Sequence, residues 1–342
     1  MTEIAVAICV NPMSGRDVRR LAARATNMTH EAKRDIVARV AAGADALGAT
    51  DIFVSREPFR IASAALEHMS LRARVHVLEP AVRNTAEDTE TAVDAFIEAG
   101  CRTMVSLGGD GTNRAIVRAL GSRAGEVHLI PLSTGTNNVF PVLAEPTIAG
   151  MVAALQAAGM LNEPSLKQRA KVLHVGGTGR HGRPVRDLGL IDGVLLRNDH
   201  VGNLLPFDAE RIDRILLTRA EPDAVGMSPI GGLLQVVEEA DDVGLLVQMG
   251  SGVRFAAPLS PGLFKEVEVA SVTPIAFDVA VPFPGPGVLA LDGDRDHKVP
   301  EGSALHLTVR RDGPWVLDLA AAMRWAVARG IIAAFPESAQ SP

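Results

Sequence analysis

The stretch LGGDGT, residues 107–112, decides the fold of this 342-residue chain. It follows the apolar run 103–107 and opens an amphipathic segment, so it lies where a buried strand turns into a helix. Three glycines in four residues allow positive φ angles and a close approach of the backbone to a ligand. The free N–H groups at the start of a helix attract anions. The pattern therefore predicts a phosphate site at a strand-to-helix turn.

Asp110 is the chemically distinctive residue of this turn. A carboxylate among phosphate-binding glycines repels a phosphate unless it carries a proton or lies beside a metal ion. Asp110 therefore fits a general base toward a hydroxyl group, or a partner of Mg²⁺. The competing interpretation is a plain strand-to-helix turn in which Asp110 caps the helix.

Two further polar loops follow predicted strands. NPMSG at 11–15 follows the apolar run 4–10, and STGTNN at 133–138 follows the run 127–132. Ligands of open α/β sheets bind beyond the carboxyl ends of the strands, although ordinary loops at this place are also rich in Gly, Ser and Asn. The three loops together predict one crevice for a phosphate donor, with the binding residues Asn11, Pro12, Ser14, Gly15, Gly108, Gly109, Gly111, Thr112, Asn113, Gly135, Thr136, Asn137 and Asn138.

The first 160 residues alternate short apolar runs with amphipathic segments. The runs lack the in-and-out alternation of a half-exposed sheet, which is typical of parallel strands covered on both faces; they are residues 4–10, 51–54, 75–78, 103–107 and 127–132. The fold class predicted for this part is an α/β parallel-sheet, nucleotide-binding domain.

Short runs punctuated by proline replace this pattern after residue 160. They predict a mostly β, sandwich-like C-terminal domain with one helix at 209–218. A last amphipathic stretch is helical by pattern and is expected to pack back on the first domain. The expected division is 1–160, 161–315 and 316–336 for these three parts.

Composition narrows the function class. The formal net charge of −6, without long basic runs, argues against nucleic acid as a partner. The longest apolar run, residues 4–10, is far too short to span a membrane. We therefore expect a cytoplasmic protein with a small-molecule or nucleotide acceptor, no nucleic acid or membrane partner, and a homo-oligomeric assembly.

Two other glycine-rich or acidic motifs have structural interpretations. GTGRHG at 177–182 spells the dinucleotide fingerprint, but Pro184 follows and no helix pattern does, which predicts a hairpin or exposed loop. LDGD at 291–294 reads by default as a solvated hairpin turn. The P-loop, GxSxG and HExxH motifs do not occur in the sequence.

Four motifs taken together resemble the superfamily of NAD kinases, diacylglycerol kinases and sphingosine kinases: NPMSG at 11–15, GGDGT at 108–112, TGTNN at 134–138 and LDGD at 291–294. Longer strings from residues 11, 131 and 189 look most like the NAD-kinase-like group of acetoin catabolism protein X: NPMSGRDVRRLAARAT, PLSTGTNNVFP and GLIDGVLLRNDHVGN.

The resemblance implies that Asp110 serves the acceptor hydroxyl and that the glycines beside it cradle the phosphates of ATP. It implies ATP and Mg²⁺ as cofactors, and we assign no metal ligand. NAD kinases carry an Asn-Glu pair and a GSTAY-type stretch where this sequence has Asp192-Gly193 and residues 226–232. We therefore expect a changed acceptor site, in which Asp192 and Asp292 grip the hydroxyl groups of the acceptor.

The predicted function is ATP-dependent phosphoryl transfer to a hydroxyl of a small or nucleotide acceptor, linked by resemblance to acetoin catabolism. Two alternatives remain open. One is a nucleotide-binding regulator without turnover, and the other is a lipid kinase, which the lack of an amphipathic basic helix disfavours.

Overall fold

The computed structural model describes residues 3–15, 28–83, 85–135, 138–179, 182–203 and 207–334. The N-terminal half and two late strands build one sheet, here called the parallel sheet, from β1 (Ala5–Val10), β2 (Asp51–Ser55), β3 (Arg74–Leu78), β4 (Thr103–Gly108), β5 (His128–Ser133), β6 (Lys167–Arg169) and β17 (Trp315–Leu317). Their order is β3-β2-β1-β4-β5-β17-β6, and all neighbours are parallel except β6 and β17.

Both faces of the parallel sheet are buried. Val6 and Ile8 of β1 face one apolar cluster, and Ala7 and Cys9 face another. The first cluster is covered by α1 (His30–Ala46), α2 (Ile61–Leu66), α5 (Pro146–Ala157) and α7 (Leu319–Ala328), and the second by α3 (Glu87–Glu98) and α4 (Asp110–Leu120). Burial on both faces explains the continuous apolar runs of these strands.

The connections place a topological switch point between β1 and β4. Strand β1 pairs with β2 on one side and with β4 on the other. The strand order therefore grows toward one edge of the sheet up to β3 and toward the opposite edge from β4 onward. Ligands of open α/β sheets bind at such a point, beyond the carboxyl ends of the strands. The loops at 11–15 and 108–112 both open into this crevice, joined by a 3.0 Å hydrogen bond from the Asn11 N–H to the Leu107 carbonyl.

The C-terminal part is a sandwich of two antiparallel sheets. The wide sheet has the order β12-β11-β10-β9-β14-β15, and the narrow sheet β13-β16-β7-β8. The wide sheet contains β9 (Asp192–Leu196), β10 (Ile212–Leu217), β11 (Val243–Ser260), β12 (Leu263–Ala276), β14 (Gly287–Leu291) and β15 (Asp294–Val299); the narrow sheet contains β7 (Val172–Thr178), β8 (Pro184–Gly189), β13 (Val281–Pro284) and β16 (Ala304–Arg310). Apolar side chains of both sheets form one core between them.

The predicted fold class is confirmed, but one element is wrong. The predicted helix 209–218 is a single turn, Ala209–Arg211, followed by the strand Ile212–Leu217. Pairing with β9 and β11 on its two sides, and burial on both faces, override an apolar spacing that resembles a helix. The GTGRHG segment begins in β7, and β7 pairs antiparallel with β8, so the predicted hairpin is confirmed; Arg180 and His181 lie outside the described residues.

The last helix of the described chain packs against the parallel sheet. Helix α7 packs on the cluster beneath α5, so the last described segment returns to the parallel sheet. The predicted helix is shorter than expected, since it ends at Ala328 and a single turn, Ile332–Ala334, follows. Within the described part of the chain, every helix is too short or too polar to cross a membrane.

Candidate functional site

A cleft of about 550 Å³ lies between the carboxyl edge of the parallel sheet and the β14–β15 hairpin of the wide sheet. Most of the residues predicted from the sequence line it: Asn11, Pro12, Ser14, Gly15, Gly109, Asp110, Gly111, Thr112, Gly135, Asn138, Asp192 and Asp292. Gly108 and Asn113 lie behind this wall, and the predicted residues Thr136 and Asn137 fall outside the described residues.

The loop at 11–15 is shaped by Asn11. Its Oδ1 accepts the N–H groups of Met13 at 2.8 Å and of Ser14 at 3.3 Å, while its Nδ2 donates to Thr112 Oγ1 at 2.8 Å. Asn11 thus forms the turn and links it to the first turn of α4. Ser14 is joined in the same way to the loop that follows β5 (the third loop in chain order), because its hydroxyl lies 2.7 Å from that of Thr134.

Lys33 is a support of this loop that sequence reasoning missed. Its side chain is fully buried, and its Nζ donates to the carbonyl groups of Asn11, Pro12 and Ser14 at 2.7 to 2.8 Å. The positive charge is thereby held under the loop that faces the cleft. The only signal in the sequence is a lysine at a position of α1 that the helical pattern buries.

Gly108 and Gly109 of the GGDGT turn are needed for close packing rather than for positive φ. The expectation of positive φ is wrong, since Gly108, Gly109 and Gly111 are not among the residues that adopt it, and Gly109 is extended, with φ −108° and ψ −167°. A Cβ at Gly108 would overlap the Thr112 side chain, and one at Gly109 would lie 2.8 Å from Asn138 Oδ1.

The second and third loops contact each other through their backbones. A Cβ at Gly135 would lie 2.8 Å from the Cα of Gly109 and would overlap Asn138. Asn113 fixes the turn from behind, because its Nδ2 donates to the Gly109 carbonyl at 2.9 Å and its Oδ1 accepts the Ser106 hydroxyl at 2.7 Å. Asn113 is fully buried, so its place in the structure is that of a support.

Asp110 starts α4 but does not cap it. Gly109 is the cap residue, and Asp110 Oδ1 instead accepts the N–H groups of Phe140 at 2.9 Å and of Val139 at 3.1 Å, from the segment that follows the third loop. The carboxylate is partly exposed to the cleft. The interpretation as a plain helix cap is therefore wrong, and the sequence carried no signal for the two amides.

Asp292 occupies the β14–β15 turn, as the default interpretation of LDGD requires, yet its side chain is buried. Its φ is +48°, and its carboxylate accepts the N–H groups of Leu190, Ile191 and Asp192 at 2.7, 2.8 and 3.1 Å. The turn therefore points its charge inward, against the start of β9, at the edge of the cleft.

Asp192 is the third carboxyl group of the cleft and is 7% exposed. Its Oδ1 is buried and has no hydrogen-bond partner in the described structure. A buried acceptor without a donor costs free energy unless a ligand or a proton satisfies it. Among the described residues that line the cleft, Asp192 is thus the one with a buried side-chain oxygen that lacks a partner.

Burial shifts the acid–base behaviour of all three carboxyl groups. It raises the pKa of Asp110 to about 7, with the charge of Asp292 acting in the same direction and the amides of Phe140 and Val139 opposing it. Burial also raises the pKa of Asp192 well above its ordinary value of 3.8, and Asp292 and Asp110 raise it further. The pKa of Asp292 is likewise raised by burial, although Arg114 and the three amides hold it down.

The two segments that depart from the NAD kinase pattern have different surroundings. Asp192 faces the cleft, but the next residue on the strand, Gly193, faces the sandwich core, where a Cβ would overlap Leu307. Gly226 and Met227 line the cleft, whereas Ser228 is fully buried and bonds the backbone of the adjoining turn. Only part of each segment is therefore available to a ligand.

Among the described residues of the cleft, no three side chains form a ready metal site. Within the described ranges, the acidic and imidazole groups that come close enough to share an ion are those of Asp187, Asp296 and His297, outside the cleft. Arg114 lies 2.8 Å from Asp187 and 2.9 Å from Asp296, so an ion pair network occupies that place.

Comparisons with known proteins agree on the family. Residues 6–159 match the ATP-NAD kinase N-terminal domain, and residues 171–312 match the C-terminal domain of acetoin catabolism protein X. Acetoin catabolism protein X of Cupriavidus necator is 30% identical over 348 residues, which cover 98% of this chain and 95% of that protein.

Among solved structures, yeast NADH kinase complexed with NADH has a TM-score of 0.54 at 13% identity, over 99% of this chain and 90% of that one. A putative diacylglycerol kinase from Bacillus anthracis str. Sterne has a TM-score of 0.49 at 13% identity, over 93% and 98%. The likeness to NADH kinase shows a common fold. Its N-terminal part matches the NAD kinase model, and from its sequence identity along nearly its whole length the chain belongs to the family of acetoin catabolism protein X.

Proposed function

We propose that the protein transfers the γ-phosphoryl group of ATP to a hydroxyl of a small or nucleotide acceptor, in the cleft between the parallel sheet and the sandwich. The observation that carries this proposal is Asp110. Two backbone amides orient its carboxylate, it faces the cleft, and its pKa is raised to about 7. General bases work best when their pKa lies near the working pH.

The transfer needs one proton acceptor and a fixed donor. Asp110 takes the proton of the acceptor hydroxyl as its oxygen forms a bond to the γ-phosphorus, and the bond from that phosphorus to the bridging oxygen breaks to release ADP. The loops at 11–15 and 108–112, together with Gly135, line one wall of the cleft, and the N-terminus of α4 at 110–112 would bind the donor phosphates. The acceptor would lie against the opposite wall, which Asp192 and Asp292 line.

The charge of the cleft favours a divalent cation as cofactor. The described lining residues with carboxylates outnumber those with guanidinium groups: they are Glu57, Asp88, Asp110, Asp192, Asp292 and Asp294, against Arg56 and Arg295. Arg295 already pairs with Asp199 at 2.8 Å. A polyphosphate entering this cleft needs further positive charge, and Mg²⁺ is bound in such sites by one or two carboxylates together with the phosphates.

Asp192 is the lining carboxylate that best suits this role, because Asp110 and Asp292 are already engaged by backbone amides. The unsatisfied Oδ1 of Asp192 fits a site completed by a ligand. When bound, Mg²⁺ would neutralise the charge on the donor phosphates.

The link to acetoin breakdown is part of the proposal. It rests on the name of the Cupriavidus relative and on the 30% identity with that protein. Acetoin carries a secondary hydroxyl group, so it belongs among the acceptors to be tested. NAD and NADH belong there as well, because the fold is that of NADH kinase.

The experiment is label transfer from [γ-³²P]ATP with Mg²⁺ to acetoin, polyols, NAD, NADH and diacylglycerol in mixed micelles. Labelled product that depends on Asp110 supports the proposal. Tight ATP binding with no labelled product from any acceptor, and with no more ADP than forms in water alone, would instead establish a regulatory nucleotide-binding protein. Transfer to diacylglycerol alone would establish a lipid kinase.

A further inference from the structure

Arg114 lies one helical turn after Asp110 and reaches across to the sandwich. Its side chain is 4% exposed and does not line the cleft. The guanidinium Nε donates to the Leu188 carbonyl at 2.7 Å, and Nη1 donates to the Leu291 carbonyl at 3.2 Å. One side chain of the parallel-sheet domain thus binds two separate segments of the sandwich.

Those two segments build the carboxylate wall of the cleft. Leu291 is the residue before Asp292, and Leu188 lies two residues before Leu190, the first of the three amides that hold the Asp292 carboxylate. The guanidinium therefore fixes the backbone on both sides of the Asp292 hydrogen bonds. The planar fork of arginine carries its donors on three nitrogen atoms, whereas the three donors of a lysine ammonium share one nitrogen.

The same guanidinium balances the charge around the wall. Its Nη2 lies 2.8 Å from Asp187 and 2.9 Å from Asp296, and Nη1 lies 3.7 Å from Asp294. Burial of Arg114 without these partners would be costly, so the carboxylates and the guanidinium hold one another in place.

We propose that Arg114 is a positioning residue for the cleft, which locks the helix that carries Asp110 to the hairpin that carries Asp292. It acts through the backbone carbonyl groups of Leu188 and Leu291. The consequence for transfer rests on the proposed function, but the locking itself does not.

Arg118 provides a matched control on the same helix. It lies one turn further along α4 and pairs with Asp187 at 2.7 Å, as Arg114 does, but its other partner is Glu90 of α3. Among the described contacts, Arg118 bonds the side chains of Asp187 and Glu90 and makes no hydrogen bond to the backbone carbonyl groups of Leu188 or Leu291. Replacing Arg118 therefore removes an ion pair to Asp187 without unlocking the wall.

The test compares Arg114→Met and Arg118→Met by hydrogen–deuterium exchange and by label transfer. In Arg114→Met we expect the amides at 190–192 to exchange about tenfold faster or more, because their local opening becomes easier. We expect kcat to fall about tenfold or more with the dissociation constant for ATP unchanged, because Arg114 does not line the cleft. Arg118→Met should change neither quantity by more than about twofold.

Equal effects of the two variants, or exchange at 190–192 that is unchanged in Arg114→Met, would overturn the inference. If Arg114→Met does not fold, Arg114→Lys keeps the charge but not the fork, and it must show the faster exchange; wild-type exchange in Arg114→Lys would refute the positioning role. Faster exchange in a protein that transfers label to no acceptor would leave the positioning role intact and refute the proposed function.

Discussion

Replacing Asp110 by Asn should remove the proton acceptor of the site and keep the hydrogen bonds of the side chain. Asp110 Oδ1 accepts both the Phe140 and the Val139 amides, so an Asn oxygen in that place keeps both hydrogen bonds. The amide cannot take a proton from a hydroxyl group. We expect turnover to fall by about two to four orders of magnitude, the usual contribution of a general base, while ATP still binds.

The same change should stabilise the protein at high pH. The pKa of Asp110 rises from 3.8 to about 7 on folding, so the native state binds the proton more tightly than the unfolded state, and stability falls as pH rises between these values. A shift of about three units corresponds to at most about 4 kcal/mol, and we expect about 2 kcal/mol because the carboxylate is partly open to the cleft. The asparagine side chain of the variant does not titrate and escapes this loss.

The assay is thermal unfolding of wild type and Asp110→Asn between pH 4 and 8.5 at constant ionic strength. The melting temperature of the variant should exceed that of wild type by a few degrees at pH 8, and this advantage should shrink steadily toward pH 4. Asp318→Asn is the control, because Asp318 also lies at the start of a helix and accepts a backbone amide, but it is exposed and outside the cleft. A difference that does not vary with pH would refute the raised pKa, and wild-type turnover would refute the base.

Three further predictions follow from close contacts in the site. Gly135→Ala should weaken ATP binding at least about tenfold in titration calorimetry, because its Cβ would overlap Asn138. Gly111→Ala is the control and should bind ATP normally, because its Cβ would lie 3.7 Å from the nearest atom. Lys33→Met should lower the unfolding free energy by about 1 to 3 kcal/mol and weaken ATP binding, since three carbonyl groups lose their donor; an unchanged melting temperature would contradict this. NADP formation should stay decades below a kcat/KM of about 10⁴ M⁻¹s⁻¹, and Gly193→Glu should not raise it, because that side chain would enter the sandwich core.

The sequence could predict the parallel sheet and the meeting of its loops because these depend on local patterns. Continuous apolar runs identify strands buried on both faces, and all parallel strands end at the same edge. The strand Ile212–Leu217 could not be recognised, since its apolar spacing also suits a helix and only its neighbours in the wide sheet decide. The division of the chain at residues 160 and 315 stays a prediction.

Side-chain roles in the site were harder to predict than its location. The support of the first loop by Lys33, and the amides of Val139 and Phe140 that orient Asp110, join residues far apart in the chain. The turn at Asp292 was recognisable, but nothing in LDGD indicates that its carboxylate turns inward to bind amides at 190–192. Such contacts depend on tertiary packing, which a motif does not encode.

The alternation of strand β9 limits what the acceptor wall can recognise. Resemblance to NAD kinases placed two recognition residues at 192 and 193, but neighbouring side chains on a strand point to opposite faces. Asp192 faces the cleft, and Gly193 leaves room for Leu307 in the core. An acceptor on this wall therefore meets one side chain of the pair, a buried carboxyl group with an unsatisfied oxygen. In its ionised form such a group favours a ligand that donates a hydrogen bond or brings a cation, and it penalises one that presents only acceptor atoms.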